Sequence, residues 1–344
     1  MNRLFSLVLG VGVGLGSSSL SLLAGCGTDA LPTYGAGLGT PENPIPQEGT
    51  MYAVRSLIAP SAGAAMPAEV ALVSATLRAF AAAPAHTMLG IASTHGVAEY
   101  TQLMSALPAT SSSKLEAYLD VEIAKATIGG APVKSFASAI AGYAETALTQ
   151  FGLDSTLSFS PEKTKHRLDA LTFRLAGFEI VVPLGGLTQD ALTQQPVVTV
   201  AEAGAITFGD HHFGIAFGSH AWQGINLASG SVYASDARTA LSTGLDCHAV
   251  SVAVAAKCTS SSSCVGHQPQ LEAICDQSLD LMMTDLDTAV VGFDFSQLHI
   301  TSGSATLVDD DLDGYANRIE TGVWTPAVAV GTASATFTAS AGAS

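Results

Sequence analysis

The most specific chemistry in this sequence is concentrated in one acidic run, Asp309-Asp310-Asp311-Leu312-Asp313-Gly314-Tyr315-Ala316-Asn317-Arg318-Ile319-Glu320. Asp309, Asp311 and Asp313 alternate, which turns their carboxylates toward a common centre, and Gly314 permits the sharp bend that wraps a loop around it. A hard cation takes six to eight oxygens at about 2.3–2.6 Å, and a loop this rich in carboxylates supplies them. The alternative is a solvated acidic turn that holds no ion. A second group lies between Gly209 and Trp222: Asp210, His211, His212 and His220. Successive strand residues point to opposite faces, so His211 and His212 do not share a metal on a straight strand. Asp210 and His212 share a face, and His220 would join them across a hairpin, giving the donor set of a zinc or iron hydrolase. The plainer alternative is that these histidines are exposed or already hydrogen-bonded near Trp222. No H-E-x-x-H, G-x-S-x-G or P-loop run occurs, and no residue set spells out a catalytic mechanism. A non-enzymatic role is therefore the first expectation, and a metal-dependent hydrolase built on Asp210, His212 and His220 is the alternative.

Residue for residue, Asp309 to Glu320 resembles the EF-hand calcium loop, D-x-[DN]-x-[DN]-G-x5-E, without a gap. The resemblance implies calcium as the cofactor. It also implies six ligands: the carboxylates of Asp309, Asp311 and Asp313, the Tyr315 carbonyl, Asn317 directly or through water, and both oxygens of Glu320. Ala316 stands where a larger aliphatic residue usually meets a second hand, and the chain has no second loop. The preceding Ser304-Ala305-Thr306-Leu307-Val308 reads as strand, not helix. An isolated loop joining two strands is expected, holding calcium weakly and serving stability rather than switching.

At the other end, Leu23-Ala24-Gly25-Cys26 closes an uncharged run that begins at Leu4, behind the lone charge of Arg3. This segment resembles the signal and lipobox of bacterial lipoproteins. The resemblance implies that residues 1–25 are a signal peptide and that Cys26 becomes a fatty-acylated (palmitate-type) N-terminus, a membrane anchor at the cell envelope. Two or three acyl chains hold a protein firmly, whereas one binds only marginally. Gly27 after the cysteine implies the outer membrane, with its periplasmic or surface face undetermined. Gly10, Gly12, Gly14 and Gly16 belong to this segment and open no nucleotide-binding helix. The whole chain resembles uncharacterised lipoproteins of predatory or social soil bacteria. They share the lipobox, a low-charge Ala/Gly/Ser-rich body and a late D-x-D-x-D-G loop before a Gly-x-Trp, here Gly322-Val323-Trp324. That resemblance implies no activity.

The elements that must hold these groups follow from composition and periodicity. With 29 Asp+Glu against 13 Lys+Arg, the net charge of −16 disfavours nucleic acid and electrostatic docking on anionic lipid. Four segments are expected: the signal peptide (1–25), the lipidated cysteine and a flexible Pro/Gly tether (26–50), helices followed by an antiparallel sheet (51–236), and a helical hairpin with strands around the calcium loop (237–344). The last two are allowed to form one compact body. The tether's alternative is an ordered N-terminal arm. Helices are expected over Met66–Ala83, Val97–Leu107, Leu115–Ile128 and Val133–Phe151, with Ser113 and Glu116 as a capping box. Alternation marks strands around Leu157–Phe159, Leu171–Leu175, Phe178–Val182, Val197–Val200, Ala205–Phe208 and Phe213–Phe217, with Gly177 in a tight turn. Helices over Ala237–Lys257 and Gln268–Val290 precede a strand from Gln297 to Val308. The fold class is α+β: an N-terminal helical layer, a mainly antiparallel sheet, a disulfide-stapled helical hairpin and C-terminal strands around the loop. An apolar ligand between helices and sheet, or an envelope protein, is the expected partner besides the membrane.

Besides Cys26, four cysteines remain, Cys247, Cys258, Cys264 and Cys275, an even number in an exported chain and so a disulfide set by default. Pairing within one arm is disfavoured, because ten helical residues rise about 15 Å against a Cα separation of roughly 6 Å in a disulfide. The symmetric spacing favours nested bridges, Cys258–Cys264 at the loop and Cys247–Cys275 across the arms. A zinc site with His248 or His267 is the alternative, and it lacks the close cysteine pairs usual for zinc.

Overall fold

The computed structural model describes residues 39–60, 68–107, 111–160, 162–233, 236–258, 268–292, 298–328 and 331–342. The signal peptide, Cys26 and the start of the tether lie outside that set. The described chain begins with β1 (Ile45–Pro46) and the long β2 (Met51–Pro60). Helices α1 (Ala68–Ala82), α2 (Pro84–Thr94), α3 (Ala98–Ala106) and α4 (Ser112–Ile123) follow. A small hairpin, β3 (Thr127–Ile128) and β4 (Ala131–Pro132), leads into α5 (Val133–Thr149). Next come β5 (Phe151–Phe159), β6 (Thr164–Leu175), β7 (Phe178–Pro183), the short α6 (Gln189–Leu192) and β8 (Thr193–Gln194). Strands β9 (Val198–Val200), β10 (Ala205–Phe208) and β11 (His211–Phe213) precede α7 (Phe217–Tyr233), α8 (Ala237–Gly244), α9 (Cys247–Cys258) and α10 (Gln268–Gly292). Strands β12 (Leu298–Val308), β13 (Tyr315–Ala316), β14 (Arg318–Val328) and β15 (Gly331–Ala341) follow.

Among the described residues, eleven strands make one antiparallel sheet in the order β7-β6-β5-β2-β15-β14-β12-β10-β9, with β8 beside β6 and β11 beside β12. Period-two alternation is the cause. In β6, His166, Leu168, Leu171 and Phe173 are buried while Lys165, Arg167 and Arg174 face water. The β6–β7 turn is Ala176-Gly177 with φ of 54° and 81°, the doubly left-handed pair that matches strand twist. Strand β2 goes beyond the sequence expectations. Its outward Met51, Ala53 and Leu57 are as apolar as its inward Tyr52, Val54 and Ile58, so alternation is blurred there. Because β2 pairs with both β5 and β15, the segments 51–236 and 237–344 contribute to a single sheet.

The helices cover the sheet with apolar stripes. In α5, Val133, Phe136, Ala137, Ile140, Ala141, Ala144, Ala147 and Leu148 are buried, which is the 3.6-residue stripe of a core-facing helix. Each large member contributes about 1.5–3 kcal/mol of burial. Helix α10 buries Leu271, Cys275, Leu279, Met282 and Leu286 and touches α1, α2, α3, α7, α8 and α9. Cys247 of α9 and Cys275 of α10 form a disulfide with a Cα separation of 5.6 Å. The inner pair, Cys258–Cys264, falls on side chains outside the described set.

Several boundaries correct the sequence expectations. The strand expected over Phe213–Phe217 ends at Phe213, and Phe217 begins α7, whose Phe217, Ala221, Gly224, Ile225 and Ala228 line one buried face. The expected helix Ala237–Lys257 breaks at Leu245-Asp246 into α8 and α9. That 21-residue run is apolar enough to cross a membrane by composition, yet Leu241, Val250 and Val254 are buried in the core. Helix α4 stops at Ile123, so Thr127–Ile128 is strand, and its N-cap is Ser111 without a side-chain capping bond. Of the expected tether, residues 39–50 are an ordered arm: Thr40 bridges Asn43, and β1 pairs in parallel with β13.

Candidate metal centre

The acidic loop joins β12 to β14 inside the sheet, and the backbone bonds at its base set its shape. Asn317 N–H donates to the Val308 carbonyl at 2.8 Å, and Ala341 N–H donates to the Asn317 carbonyl at 2.8 Å. Within the loop, the Asp309 carboxylate accepts the N–H groups of Leu312 (2.7 Å), Asp313 (3.3 Å) and Gly314 (2.7 Å). Asp313 accepts Tyr315 N–H at 2.8 Å, and Asn317 Oδ1 accepts Asp310 N–H at 2.6 Å. The winding needs left-handed backbone at Leu312 (φ 62°) and Gly314 (φ 88°). Leucine at such an angle is strained, and strain of this kind persists where surrounding bonds over-determine it.

The result is that Asp309, Asp311 and Asp313 each offer a carboxylate oxygen, all within 4.8 Å of one another, an arrangement able to hold a metal ion. The crowding is electrostatically costly. A hydrogen bond shared with Asp309, then burial and the charge of Asp313, pushes the Asp311 carboxyl above its ordinary value. Opposite charges within a few ångströms relieve such crowding.

The other three expected ligands lie in and between β13 and β14. Tyr315 sits in β13, opposite Ile45. Asn317 Oδ1 is committed to Asp310 N–H. Glu320 lies in β14 opposite Thr306 and bonds to Arg318, whose guanidinium also grips Asp310 at 2.5 and 2.6 Å. The fork holds the Asp310 carboxyl below its ordinary value. Thus Arg318 ties loop position two to position twelve, and Glu320 is turned to it rather than grouped with the three aspartates.

The ordered arm, the alternative to a flexible tether, braces this loop. Ile45 N–H donates to the Gly314 carbonyl at 3.1 Å. Gly39 and Gly314 approach so closely that a Cβ on Gly39 would lie 2.0 Å from the Gly314 oxygen. Tyr52 donates its hydroxyl to the Ala316 carbonyl at 2.7 Å and accepts Gln47 N–H at 3.1 Å.

The histidine group does not assemble as expected. His220 is on α7, not on a hairpin strand, and its Nδ1 bonds the Ala216 carbonyl at 2.7 Å. Asp210 pairs with His299 at 2.8 Å, and His212 faces solvent. Among the described residues, only the aspartates of the acidic loop bring three metal-ligating side chains within mutual reach. Instead His211 turns inward to His166, a residue that no motif in the sequence marks. Its Nε2 lies 2.9 Å from His166 Nδ1, and His166 Nε2 lies 2.9 Å from Ser155 Oγ. His211 Nδ1 meets the Gly209 carbonyl at 2.8 Å, and Trp324 stacks on His166 at 5.3 Å. Both histidines and Ser155 are buried. The only sequence signal was His166 at an inward position of an alternating strand.

Compared with protein-family models, with curated proteins and with solved structures, the chain matches none.

Proposed function

We propose that this protein is a calcium-binding envelope lipoprotein, held to the membrane through acylated Cys26, whose folded body has a structural or ligand-binding role and not an enzymatic one. The observation that carries the ion is the convergence of the Asp309, Asp311 and Asp313 carboxylates on a loop wound by its own backbone N–H bonds. An all-oxygen donor set favours a hard cation, and a loop of mixed carboxylate, carbonyl and amide donors suits calcium better than the rigid octahedron of magnesium. Tyr315, Asn317 and Glu320 are the remaining proposed donors, and Glu320 has to exchange Arg318 for the ion. Because the loop links β12 to β14 in the interior of the sheet order, a cation there fastens the connection between two long strands.

The test is thermal unfolding of the purified protein in calcium and in chelator. A ligand that binds only the folded form at a hundredfold excess over Kd adds about 2.7 kcal/mol, so calcium should raise Tm by several degrees and Asp311→Ala should abolish the rise. Equal melting curves in calcium and chelator would remove the calcium proposal.

A further inference from the structure

The outward face of the sheet carries a groove of about 550 Å³ that shares no residue with Asp309, Asp311 or Asp313. Its floor is a row in register across five strands: Val323 of β14, Thr336 of β15, Leu57 of β2, Gly152 of β5 and Thr172 of β6. Position 152 has no side chain, and the Thr172 hydroxyl occupies its place on the floor. A Cβ there would lie 2.0 Å from Thr172 Oγ1. One lip is formed by a β-bulge in β14, where register shifts between Ile319 and Gly322 and Thr321 adopts φ 51°. Bulges re-aim side chains and recur beside functional sites, and this one brings Thr321 to the groove. On the opposite wall, Arg55 stands 3.7 Å from Asp154 and 3.9 Å from Glu179, and Arg174 is the cross-strand partner of Glu179. Two cations and two anions cancel there.

We propose that this groove binds a neutral saccharide. Guanidinium groups only donate hydrogen bonds and carboxylates only accept them, while threonine hydroxyls do both. A ligand that satisfies all three must offer donors and acceptors on adjacent atoms, and with the wall charges balanced it needs no net charge of its own. Vicinal hydroxyls on a sugar ring meet both conditions, and the exposed aliphatic Leu57 and Val323 suit its C–H face. A peptide strand is disfavoured because β2, β5, β14 and β15 are paired on both sides, leaving no free edge for strand addition. The inference goes beyond the calcium proposal and does not depend on it.

Saturation-transfer NMR on the purified full chain tests it, with cellotetraose, maltotetraose and tri-N-acetylchitotriose as probes at millimolar concentration, in calcium and in chelator. At least one neutral oligosaccharide should bind, and binding should weaken about tenfold or more in Leu57→Arg and in Val323→Arg, which fill the groove from exposed positions on two different strands. Melting curves matching the parent's show that either variant is folded. Survival of binding in chelator separates this site from the ion. The proposal is overturned if none of the three probes binds, if both folded variants bind as the parent does, or if tetragalacturonate or a tetrapeptide mixture binds in their place.

Discussion

His166 and His211 are buried together in the sheet core and joined by a hydrogen bond. His211 Nδ1–H donates to the Gly209 carbonyl, so its Nε2 accepts from His166 Nδ1–H, and His166 Nε2 accepts the Ser155 hydroxyl proton; the network assigns these tautomers. Burial, then the adjacent His211, pushes His166 well below the ordinary histidine value of 6.5. Burial also lowers His211, opposed by the Gly209 carbonyl and Asp210 and reinforced by His212 and His299. Both are therefore neutral in the fold while the unfolded chain takes up their protons as pH falls through 6.5. The unfolded state binds more protons in that window, so stability rises with pH across it and is lost below it. Urea unfolding at pH 7.5 and 5 should show a lower midpoint at pH 5. His211→Gln should be less stable than the parent at pH 7.5 and lose less on acidification. An equal loss in both proteins would place the acid sensitivity elsewhere. Ser155→Ala leaves His166 Nε2 unpaired in the core and should cost about 1–3 kcal/mol, read from the same curves.

At the scale of elements, the Cys247–Cys275 bridge and α7 show two kinds of fastening. The disulfide closes a separation of 28 residues between α9 and α10, and removing such a constraint costs about 2–4 kcal/mol. The double variant Cys247→Ser/Cys275→Ser should unfold at correspondingly lower denaturant, and reductant should no longer shift its midpoint. A parent midpoint unmoved by reductant would show that the bridge adds no stability. Helix α7 has no such staple and relies on fit: a Cβ on Gly224 would lie 2.7 Å from the Phe173 ring. The bridge was legible from cysteine parity and spacing. The helix was harder to see, because its buried face includes Gly218 and Gly224, glycine being a poor helix former, and because it follows a run that alternates like a strand.

For the whole molecule, the decisive question is how the folded body is held. Residues 39–46 join it beside the acidic loop, so the arm leading from the proposed anchor and the proposed ion site meet at one place. If Cys26 is acylated, the native protein should partition into detergent and its N-terminal peptide should carry the mass of a lipid-modified cysteine. Cys26→Ala should move the protein to the aqueous phase. A native protein that begins at unmodified Met1 would remove the anchor and, with it, the oxidising compartment that the disulfide expectation assumed.

Local sequence alone determined whatever depends on near residues: the alternation of β6 and β7, the stripes of α5 and α10, the bridge partners Cys247 and Cys275, and the loop in which Asp309, Asp311 and Asp313 converge. These follow from the 2.0- and 3.6-residue periods and from loop geometry, which a one-dimensional reading can see. Tertiary structure decided the contacts between distant segments: Gly39 against Gly314, His166 against His211, and the five-strand floor of the groove. Such contacts arise because sheet order and register bring together residues whose separation along the chain carries no local signature.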